Sequence, residues 1–455
     1  MDKDILWVSD IAAEVTSGKV TKEWQATGIS IDSRMVEKGD LFIALTTGVT
    51  DGHDYVKKAF EQGAAAVLVS EIPDDIDESY PLLLVGDTLQ ALNQMAVYKR
   101  EKTNAKIIAI TGSVGKTSVK EALAFVLSKQ GRSHATIGNY NNYLGLPITL
   151  CRMADDVEYG VFELGMNHAG ELSELSKMLK PHIAVITAIE AVHMEFFESL
   201  EKVAEAKSEV FEGLIKDKVG VIPYKSNRYD ILLNQAVKYC DEVVSFAESY
   251  ERGVFADYQF VRGDMSGEEI EFKLQAKGEH NAQNACAVLE VVKAAGADVK
   301  QAAINLFELE VPKGRGRVYD IAFGNKKIRL IDDSYNASPA SMKAAIESLK
   351  SFEGRKVAVL GDMLELGEKS EEYHLELTPF IKKADVAAVY TSGGLMAKLY
   401  DNLPCEVSAK KCKTVDELMP ILRDELQNGD VVLFKGSHGS NIYKIVEEFL
   451  CHAVE

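Results

Sequence analysis

A short glycine-rich run, TGSVGKT at residues 111–117, is the part of the sequence best suited to chemistry. It follows the apolar run IIAI and precedes a helical pattern that Gly131 ends. In such a turn main-chain N–H groups face phosphates, Lys116 supplies a cation and Thr117 can ligate Mg²⁺. We therefore expect the run to bind ATP phosphates. The general P-loop pattern has a glycine at the position of Ile110, so this run is a variant of it. The alternative is a plain strand-to-helix turn that happens to contain these residues.

Three further side chains follow predicted strands or helices downstream of this loop. Glu163 lies in the apolar run YGVFEL, His193 follows the next such run, and Lys207 lies on a predicted helix. Open α/β sheets gather ligands at the carboxyl ends of their strands, and carboxylate oxygens suit the Mg²⁺ that phosphoryl transfer needs. Each residue taken alone has an ordinary alternative, namely a solvated glutamate, a structural histidine or a surface lysine.

Strand-like apolar runs alternate with helical patterns along the chain, which predicts an α/β fold with parallel sheets covered by helices. A length of 455 residues is too great for one compact core, so several domains are expected. We predict three, namely a small N-terminal α/β domain at 1–103, a central P-loop-type parallel sheet with helices on both faces at 104–312, and a C-terminal Rossmann-like domain at 313–455.

Composition excludes several classes of function. The formal net charge of −19 argues against broad contact with nucleic acid, which needs a basic face. The chain has no apolar stretch of about 18 residues, and its N-terminus, MDKDILWVSD, lacks a basic segment followed by an apolar one. We therefore expect a cytoplasmic protein without membrane insertion. The six cysteines form no C-x-x-C pair, which is typical of reduced thiols.

Longer strings spread over nearly the whole chain resemble the Mur ligase family in their order and spacing. They are IDSR at 31–34, DLFIAL at 40–45, DGHDY at 51–55, the TGSVGKT run, TIGNYNNYLGLP at 136–147, FELGMN at 162–167, AVHMEFF at 191–197, AKSEVF at 206–211, GEHNAQNA at 278–285, KGRGR at 313–317, DDSYNASPASM at 332–342, GDMLELG at 361–367 and KGSHG at 435–439. Within the family, DDSYNASPASM and GDMLELG resemble the members that act on D-alanyl-D-alanine.

The resemblance implies an ATP-dependent ligase of peptidoglycan precursor synthesis. Such an enzyme uses ATP and Mg²⁺ to add D-alanyl-D-alanine to UDP-N-acetylmuramoyl-tripeptide through an acyl phosphate. The dipeptide and the sugar peptide are both small molecules. The first domain would hold the UDP-sugar peptide, the central domain ATP, and the last would close over both. We expect the chain to act as a monomer.

The resemblance also implies roles for individual residues at matching positions. The catalytic residues would be Lys116, His193 and Lys207. The Mg²⁺ ligands would be Thr117, Glu163, His193 and a carbamylated Lys207, whose anionic oxygens replace an ammonium that would repel the metal. The ATP-binding residues would be Thr111, Gly112, Ser113, Val114, Gly115, Lys116, Thr117, Ser118, Asn281, Asn284, Arg315, Asp333 and Tyr335. The residues for the UDP-sugar peptide would be Ser33, Arg34, Asn139, Asn141 and Asn142.

Alternatives stay open at several of these positions. Arg317 is as good a phosphate ligand as Arg315, the turn around Arg34 could be merely exposed, and the asparagine run could be a structural loop. Relatives often carry Asn and Gly where this chain has Ala188 and Glu190. The rival functions are a folylpolyglutamate-type ligase, the Mur enzyme that adds the third amino acid, and a P-loop switch that makes no amide.

Overall fold

The computed structural model describes residues 4–48, 50–191, 194–255, 258–265, 267–324 and 326–452. Over these ranges the chain forms three consecutive α/β regions, each built around its own sheet. The α/β class and the three-domain architecture predicted from the alternating runs are confirmed.

The first region holds a five-stranded sheet and a two-stranded ribbon. Its strands are β1 (Trp7–Val8), β2 (Lys19–Val20), β3 (Gln25–Ala26), β4 (Gly28–Ser30), β5 (Asp40–Ile43), β6 (Ala66–Val69) and β7 (Leu82–Leu84). Its helices are α1 (Ser9–Thr16), α2 (Val56–Glu61) and α3 (Thr88–Lys102), with a 3₁₀ turn at Gly52–Tyr55. The sheet order is β2-β7-β6-β5-β4, with β2 antiparallel and the other pairs parallel, so β4 is an edge strand.

The central region is built on a parallel sheet. Its strands are β8 (Lys106–Thr111), β9 (Ser133–Ala135), β10 (Tyr159–Glu163), β11 (Ile183–Ile186), β12 (Val219–Pro223) and β13 (Glu242–Phe246). Its helices are α4 (Lys116–Ser128), α5 (Gly145–Cys151), α6 (Glu171–Leu179), α7 (Leu200–Ser208) and α8 (Tyr229–Ala236), with a 3₁₀ turn at Glu209–Gly213. In the order β13-β12-β11-β8-β10-β9, the chain leaves β8 toward one side and later returns to the other. The carboxyl end of β8 is therefore a switch point, where such sheets bind ligands.

A three-stranded antiparallel sheet follows and packs on the central region. It consists of β14 (Tyr250–Val254), β15 (Gln259–Met265) and β16 (Glu268–Leu274), and the helices α9 (Glu279–Ala294) and α10 (Val299–Asn305) come next, with a 3₁₀ turn at Leu306–Glu308. On β16 the side chains of Ile270, Phe272 and Leu274 are buried and those between them are exposed. One face of this sheet therefore joins the core around α9.

The third region contains a mixed sheet. Its strands are β17 (Arg317–Phe323), β18 (Lys326–Asp333), β19 (Lys356–Gly361), β20 (Val386–Ser392), β21 (Ser408–Cys412) and β22 (Val431–Lys435). Its helices are α11 (Pro339–Ser348), α12 (Ser370–Leu375), α13 (Thr378–Lys383), α14 (Gly394–Asp401), α15 (Val415–Glu425) and α16 (Ile442–Cys451), with 3₁₀ turns at Leu349–Ser351, Gly367–Lys369 and His438–Ser440. The order is β17-β18-β22-β19-β20-β21, and β17 alone pairs antiparallel.

The cores follow from strands that are apolar on both faces. On β8, Ile107 and Ala109 pack into one core and Ile108 and Ile110 into another, because successive side chains point to opposite faces. The first of these cores continues without a break into the N-terminal region, where it includes Leu41. The first and central regions therefore share a single buried interior, whereas the third region has its own.

Candidate active site

The predicted phosphate loop joins the carboxyl end of β8 to the N-terminus of α4, as the sequence pattern requires. Gly112 and Gly115 have φ angles of +148° and +88°, which glycine adopts readily. A Cβ atom on Gly112 would lie 2.0 Å from Thr187 Oγ1, and one on Gly115 would lie 2.7 Å from Asn284 Oδ1. Both glycines are therefore needed for conformation and for space.

Residues after β11 fasten this loop from the side. The Thr187 hydroxyl donates to the Val114 carbonyl at 2.6 Å, and the Ser113 N–H donates to the Ala188 carbonyl at 2.8 Å. The Ser113 hydroxyl donates to the Glu190 carbonyl at 3.0 Å. Because Ala188 and Glu190 contribute main-chain oxygens, their departure from the residues that relatives often carry leaves these contacts intact. Thr187 was not predicted as a site residue; a threonine after a buried strand was the available signal.

Lys116 lies at the start of α4 with its ammonium turned back over the loop. Its Nζ donates to the Gly112 carbonyl at 2.7 Å and to the Ser113 carbonyl at 3.4 Å. Burial lowers the pKa of this amine, the carboxylate of Glu163 opposes that shift, and the charge of Arg315 adds to it. The lysine is thus a cation held by weak acceptors, ready to exchange them for phosphate oxygens.

Glu163 lies beside the loop because β10 pairs with β8, which sets Glu163 opposite Ile110. Its side chain is 3% exposed. Oε1 accepts a hydrogen bond from Asn141 Nδ2 at 2.8 Å, whereas Oε2 is buried without a hydrogen-bond partner among the described residues. A buried carboxylate oxygen left unpaired is unfavourable, so this oxygen is free to ligate a cation.

Lys207 on α7 is also buried, with 2% of its surface exposed. Its pKa is lowered well below the usual value, first by burial and then by the charge of Lys116. No carboxylate of the described residues counters these two effects. Both effects disfavour the ammonium form of Lys207 relative to the neutral amine.

His193, predicted as a metal ligand and catalytic residue, lies outside the described residues. Over the ranges the structure describes, no group of three or more His, Cys, Asp or Glu side chains could hold a metal ion. The other predicted oxygen ligands lie on different elements, Thr117 in the first turn of α4 and Glu163 at the end of β10. The remaining ligands would have to come from phosphates or a modified lysine.

A pocket of about 70 Å³ lies next to the loop, between α4, α9 and the segment that leads to the third region. Four predicted ATP-binding residues line it, namely Ser118, Asn281, Asn284 and Arg315. Its other lining residues are mostly apolar, among them Ala122, Leu274, Ala285, Val288 and Leu309. An apolar slot with a few amide groups beside a phosphate loop suits the base of a nucleotide.

The structure separates the two candidate arginines. Arg315 Nη2 donates to Thr117 Oγ1 at 3.1 Å, and its guanidinium lies 4.1 Å from the centre of the Tyr335 ring. Arg317 instead pairs with Glu310 at 3.1 Å and lies over Tyr319. Arg315 is therefore the arginine that reaches the phosphate loop.

Asp333 and Tyr335 extend from the carboxyl end of β18 in the third region. Asp333 Oδ2 forms an ion pair with Lys435 Nζ at 2.7 Å, and Lys435 is 3% exposed. Lys435 also donates to the Asn336 carbonyl at 3.0 Å. Asp333 was predicted as an ATP-binding residue, whereas Lys435 was noted only as part of the KGSHG string. The two lie about one hundred residues apart, so no local pattern indicated that they pair.

The predicted sugar-peptide residues form two groups, one after β4 (Ser33 and Arg34) and one in the asparagine run at 139–142. Ser33 is buried, whereas the side chain of Arg34 is 77% exposed and pairs with Asp32 at 2.6 Å. The guanidinium of Arg34 lowers the pKa of the Asp32 carboxyl.

The asparagine run contributes differently at each position. Asn141 contacts Glu163 as described, and the Asn142 side-chain oxygen accepts from the Leu144 and Gly145 N–H groups at 3.2 and 2.9 Å. Asn139 is exposed, and its carbonyl accepts from the Asn141 N–H. The run therefore combines a structural turn at Asn142 with a side chain at Asn141 that contacts Glu163, whereas the described contact of Asn139 is made by its main chain.

A phosphate loop at the switch point of a parallel sheet, with a buried carboxylate and an arginine beside it, defines an enzyme that uses a nucleoside triphosphate. Family models described as "Mur ligase family, catalytic domain", "Mur ligase middle domain" and "Mur ligase, glutamate ligase domain" match residues 25–101, 110–292 and 315–438. The chain belongs to the Mur ligase family.

Curated relatives extend this likeness over almost the whole chain. UDP-N-acetylmuramoyl-tripeptide–D-alanyl-D-alanine ligase of Rickettsia prowazekii is 40% identical over 98% of this chain and 100% of its own length. The enzyme of the same name from Bacillus subtilis is 35% identical over 97% of this chain and 98% of its own length.

Solved structures agree with the fold. MurF from Acinetobacter baumannii is 29% identical and covers 98% of both chains with a TM-score of 0.85. MurF ligase from Thermotoga maritima in complex with ADP is 26% identical, with a TM-score of 0.77 over 93% of this chain and 97% of its own. The protein is thus an ATP-dependent ligase whose substrates are small molecules. Among the described residues, no helix is both long enough and apolar enough to cross a bilayer.

Proposed function

We propose that the protein joins D-alanyl-D-alanine to the terminal carboxyl group of UDP-N-acetylmuramoyl-tripeptide in peptidoglycan precursor synthesis, converting ATP to ADP and phosphate. One observation carries the proposal: Thr117, Arg315 and the unpartnered oxygen of Glu163 lie around one phosphate loop, in a chain that aligns over 98% of its length with a ligase of that name. We further propose that it acts in the cytoplasm as a monomer.

In the first step an oxygen of the tripeptide carboxylate attacks the γ-phosphorus of ATP, and the bond from that phosphorus to the β–γ bridging oxygen breaks. ADP leaves and an acyl phosphate forms. Three anionic groups meet in this step, so positive charge must lie where negative charge accumulates. Lys116 would leave the carbonyls of Gly112 and Ser113 for the β- and γ-phosphates, and Arg315 would move from Thr117 to the γ-phosphate.

In the second step the amine of D-alanyl-D-alanine attacks the acyl carbon. A tetrahedral intermediate forms, the carbon–oxygen bond to phosphate breaks, and the nitrogen loses a proton as the amide forms. Water would compete for the acyl phosphate, so the third region must cover the site during this step. Arg315 and Tyr335 lie at the junction of the two regions and would close with it.

The donor set fits Mg²⁺. Thr117, Glu163, His193 and a carbamylated Lys207 would hold the ion, which would offset the charge of the ATP phosphates. The buried oxygen of Glu163 that lacks a partner is the observation that supports this fit. The pairing with Asn141 would hold the other carboxylate oxygen in place.

Lys207 could take part only after modification, because an amine that faces Lys116 would repel a metal as an ammonium and bind it poorly when neutral. A neutral amine can attack CO₂, forming a nitrogen–carbon bond and losing one proton. The product is a carbamate whose two oxygens share one negative charge. Burial and the charge of Lys116 lower the pKa of the amine and disfavour its ammonium form, so they favour this reaction.

The remaining contacts are proposed at the positions that match the family. ATP phosphates would lie against Thr111 to Ser118, and the base and ribose would contact Asn281, Asn284, Asp333 and Tyr335. The UDP-sugar would meet Ser33 and Arg34 in the first region, and the peptide would meet Asn139, Asn141 and Asn142. We also propose the boundaries 103/104 and 312/313 for the three domains.

The test is phosphate release from ATP with Mg²⁺, bicarbonate and UDP-N-acetylmuramoyl-tripeptide, with and without D-alanyl-D-alanine. Tripeptides ending in diaminopimelate and in lysine are assayed separately, and the nucleotide-linked product is weighed by mass spectrometry. We expect release that requires both substrates and a product heavier by one dipeptide residue.

Other results would contradict the proposal in distinct ways. Phosphate release that ignores the dipeptide would indicate a P-loop switch. Activity with a folate or a shorter sugar peptide, and none with the tripeptide, would assign a different ligase substrate and leave the ATP site standing.

A further inference from the structure

Arg152 connects the first and central regions, although no part of the proposed mechanism uses it. It is the residue directly after α5, in the central region. Its Nε and Nη2 both donate to the Ile29 carbonyl, at 2.8 and 2.5 Å. Ile29 belongs to β4, the edge strand of the first sheet, which ends one residue before the turn that carries Ser33 and Arg34.

The same guanidinium lies close to the asparagine run. Its central carbon is 5.5 Å from the centre of the Tyr140 ring, between Asn139 and Asn141. Arg152 forms no ion pair with any carboxylate of the described residues. Its contacts are thus one carbonyl on one side and one aromatic face on the other.

We propose that Arg152 is a positioning residue for the UDP-N-acetylmuramoyl peptide, because it holds the turn after β4 and the asparagine run at a fixed separation. This inference rests on the proposed function, in which those two segments bind opposite ends of one substrate. The substrate therefore spans two regions of the protein, and its affinity depends on how firmly they are set against each other.

The chemistry of arginine suits this task. Its planar fork donates two hydrogen bonds in fixed directions to one acceptor while its face packs on an aromatic ring. A lysine could keep the charge but would donate to Ile29 through a single freely rotating ammonium. The direction of the contact, and with it the spacing of the two segments, would then be lost.

Arg100 supplies a matched control. It crosses the same boundary in the opposite direction, and its Nε and Nη2 donate to the Leu179 and Lys180 carbonyls, each at 2.5 Å. These acceptors end α6 and belong to neither substrate-binding segment. Arg100→Met and Arg152→Met each remove an arginine that donates two hydrogen bonds across the boundary, and only the second touches the proposed substrate site.

The experiment is steady-state kinetics on the full chain for the wild type, Arg152→Met, Arg152→Lys and Arg100→Met. For both Arg152 variants we expect the KM for the sugar peptide to rise about tenfold, corresponding to about 1.4 kcal/mol, with the KM for ATP unchanged. The Arg100 variant should change neither KM. Thermal unfolding of all four proteins reports the general cost of losing a boundary contact.

Arg152→Lys keeps the test decisive if the methionine variant fails to fold. The inference is wrong if the sugar-peptide KM of the Arg152 variants equals that of Arg100→Met, or if the KM for ATP rises equally. A wild-type protein that does not ligate the sugar peptide at all overturns the proposed function itself, and the inference with it.

Discussion

In the ligand-free protein the proposed catalytic residue Lys116 is held by contacts within its own loop. Its ammonium rests on two carbonyls of its own loop, although burial lowers its pKa. Such an arrangement contributes little to folding, because carbonyl oxygens compensate a buried charge only in part. Its value lies in the transition state, when phosphate oxygens replace the carbonyls.

We therefore expect Lys116→Met to lower kcat by about 10²- to 10³-fold while leaving the melting temperature equal or slightly higher. Phosphate-release kinetics and thermal unfolding measure the two effects. Lys129→Met, at the exposed far end of the same helix, is the control and should change neither. A large loss of stability in Lys116→Met with normal kcat would contradict this account.

Lys207 leads to a prediction about modification. With ¹³C-labelled bicarbonate at neutral pH, the wild-type protein should give a carbamate signal in ¹³C NMR, because burial and the charge of Lys116 lower the pKa of the Lys207 amine and so favour its nucleophilic, neutral form. Lys207→Met should give no carbamate signal, and its kcat should be at least about 10²-fold lower than that of the wild type.

Lys99 is the matched control for that experiment. It is also buried, at 5% exposure, but its Nζ is engaged by the carboxylate of Asp155 at 2.7 Å. Lys99→Met should therefore retain the carbamate signal. A signal that survives Lys207→Met would assign the modification to another residue.

Residue types indicated part of this site and geometry supplied the rest. Lys116 and Glu163 could be singled out from the sequence because Lys116 closes the glycine-rich loop after one buried strand and Glu163 ends another. The choice of Arg315 over Arg317 could not, since it depends on the positive φ angles of Gly314 and Gly316, which aim the side chain between them. Lys435 and Asp333 meet only because β18 pairs with β22, a long-range contact.

At the scale of elements, Gly115 and Gly170 allow conformational strain to be separated from crowding. Both precede a helix, with φ angles of +88° and +92°. A Cβ on Gly115 would meet Asn284, whereas one on Gly170 would meet no atom within 4 Å. The backbone cost of alanine is thus similar at the two positions, and only one of them lies at the nucleotide pocket.

We expect Gly115→Ala to weaken ATP binding about tenfold or more, since it displaces Asn284 and the turn of the loop. Gly170→Ala should lose similar stability, about 1 kcal/mol, with ATP affinity unchanged. Calorimetric titration with a non-hydrolysable ATP analogue measures the affinities. Equal affinity in the two variants would show that Asn284 is not a constraint on the loop.

His134, on β9, links stability to pH. Burial lowers its pKa to about 4, and its Nε2 lies 2.8 Å from the Thr149 carbonyl. Between pH 6.5 and 4 the unfolded chain therefore binds a proton that the folded chain does not. The contribution of this ring to stability is complete above pH 6.5 and is lost as the pH falls toward 4.

Urea unfolding at pH 7 and pH 5 should reveal this loss, which amounts to at most about 2 kcal/mol. His134→Gln, which can still donate to Thr149, should flatten that part of the pH dependence. His168→Gln alters an exposed imidazole and is the control. An unchanged slope in His134→Gln would mean that other groups cause the acid sensitivity.

Strand patterns predicted the parallel sheets well, because strands buried on both faces are almost continuously apolar. The antiparallel sheet β14–β16 was not predicted. Along β16 the exposed positions are charged, as at Glu269 and Glu271, and they alternate with buried apolar residues. This alternation was present in the sequence but is weaker than a continuous apolar run.

At the scale of the whole molecule, side chains at the junction link the third region to the central one. Arg315 joins Thr117 to Tyr335, and the ammonium of Lys277 lies 4.9 Å from the Phe352 ring. Because Arg315 would have to exchange Thr117 for phosphate when ATP binds, the same side chain can hold the ligand-free arrangement and the closed one.

We expect Arg315→Ala to raise the radius of gyration of the ligand-free protein in small-angle scattering and to reduce the compaction caused by an ATP analogue with the sugar peptide. Arg317→Ala removes a neighbouring arginine that pairs with Glu310 and should behave like the wild type. Identical scattering from the two variants would remove Arg315 from the account of domain movement.

The buried interior shared by the first two regions limits how the gene could be divided. A fragment that ended near residue 103 would leave Leu41, Leu68 and Leu92 without the residues of the central region that complete their packing. Such a fragment would expose an apolar face and tend to aggregate. The third region encloses its own interior, so it is the part of the protein that can be exchanged between relatives as an independent module.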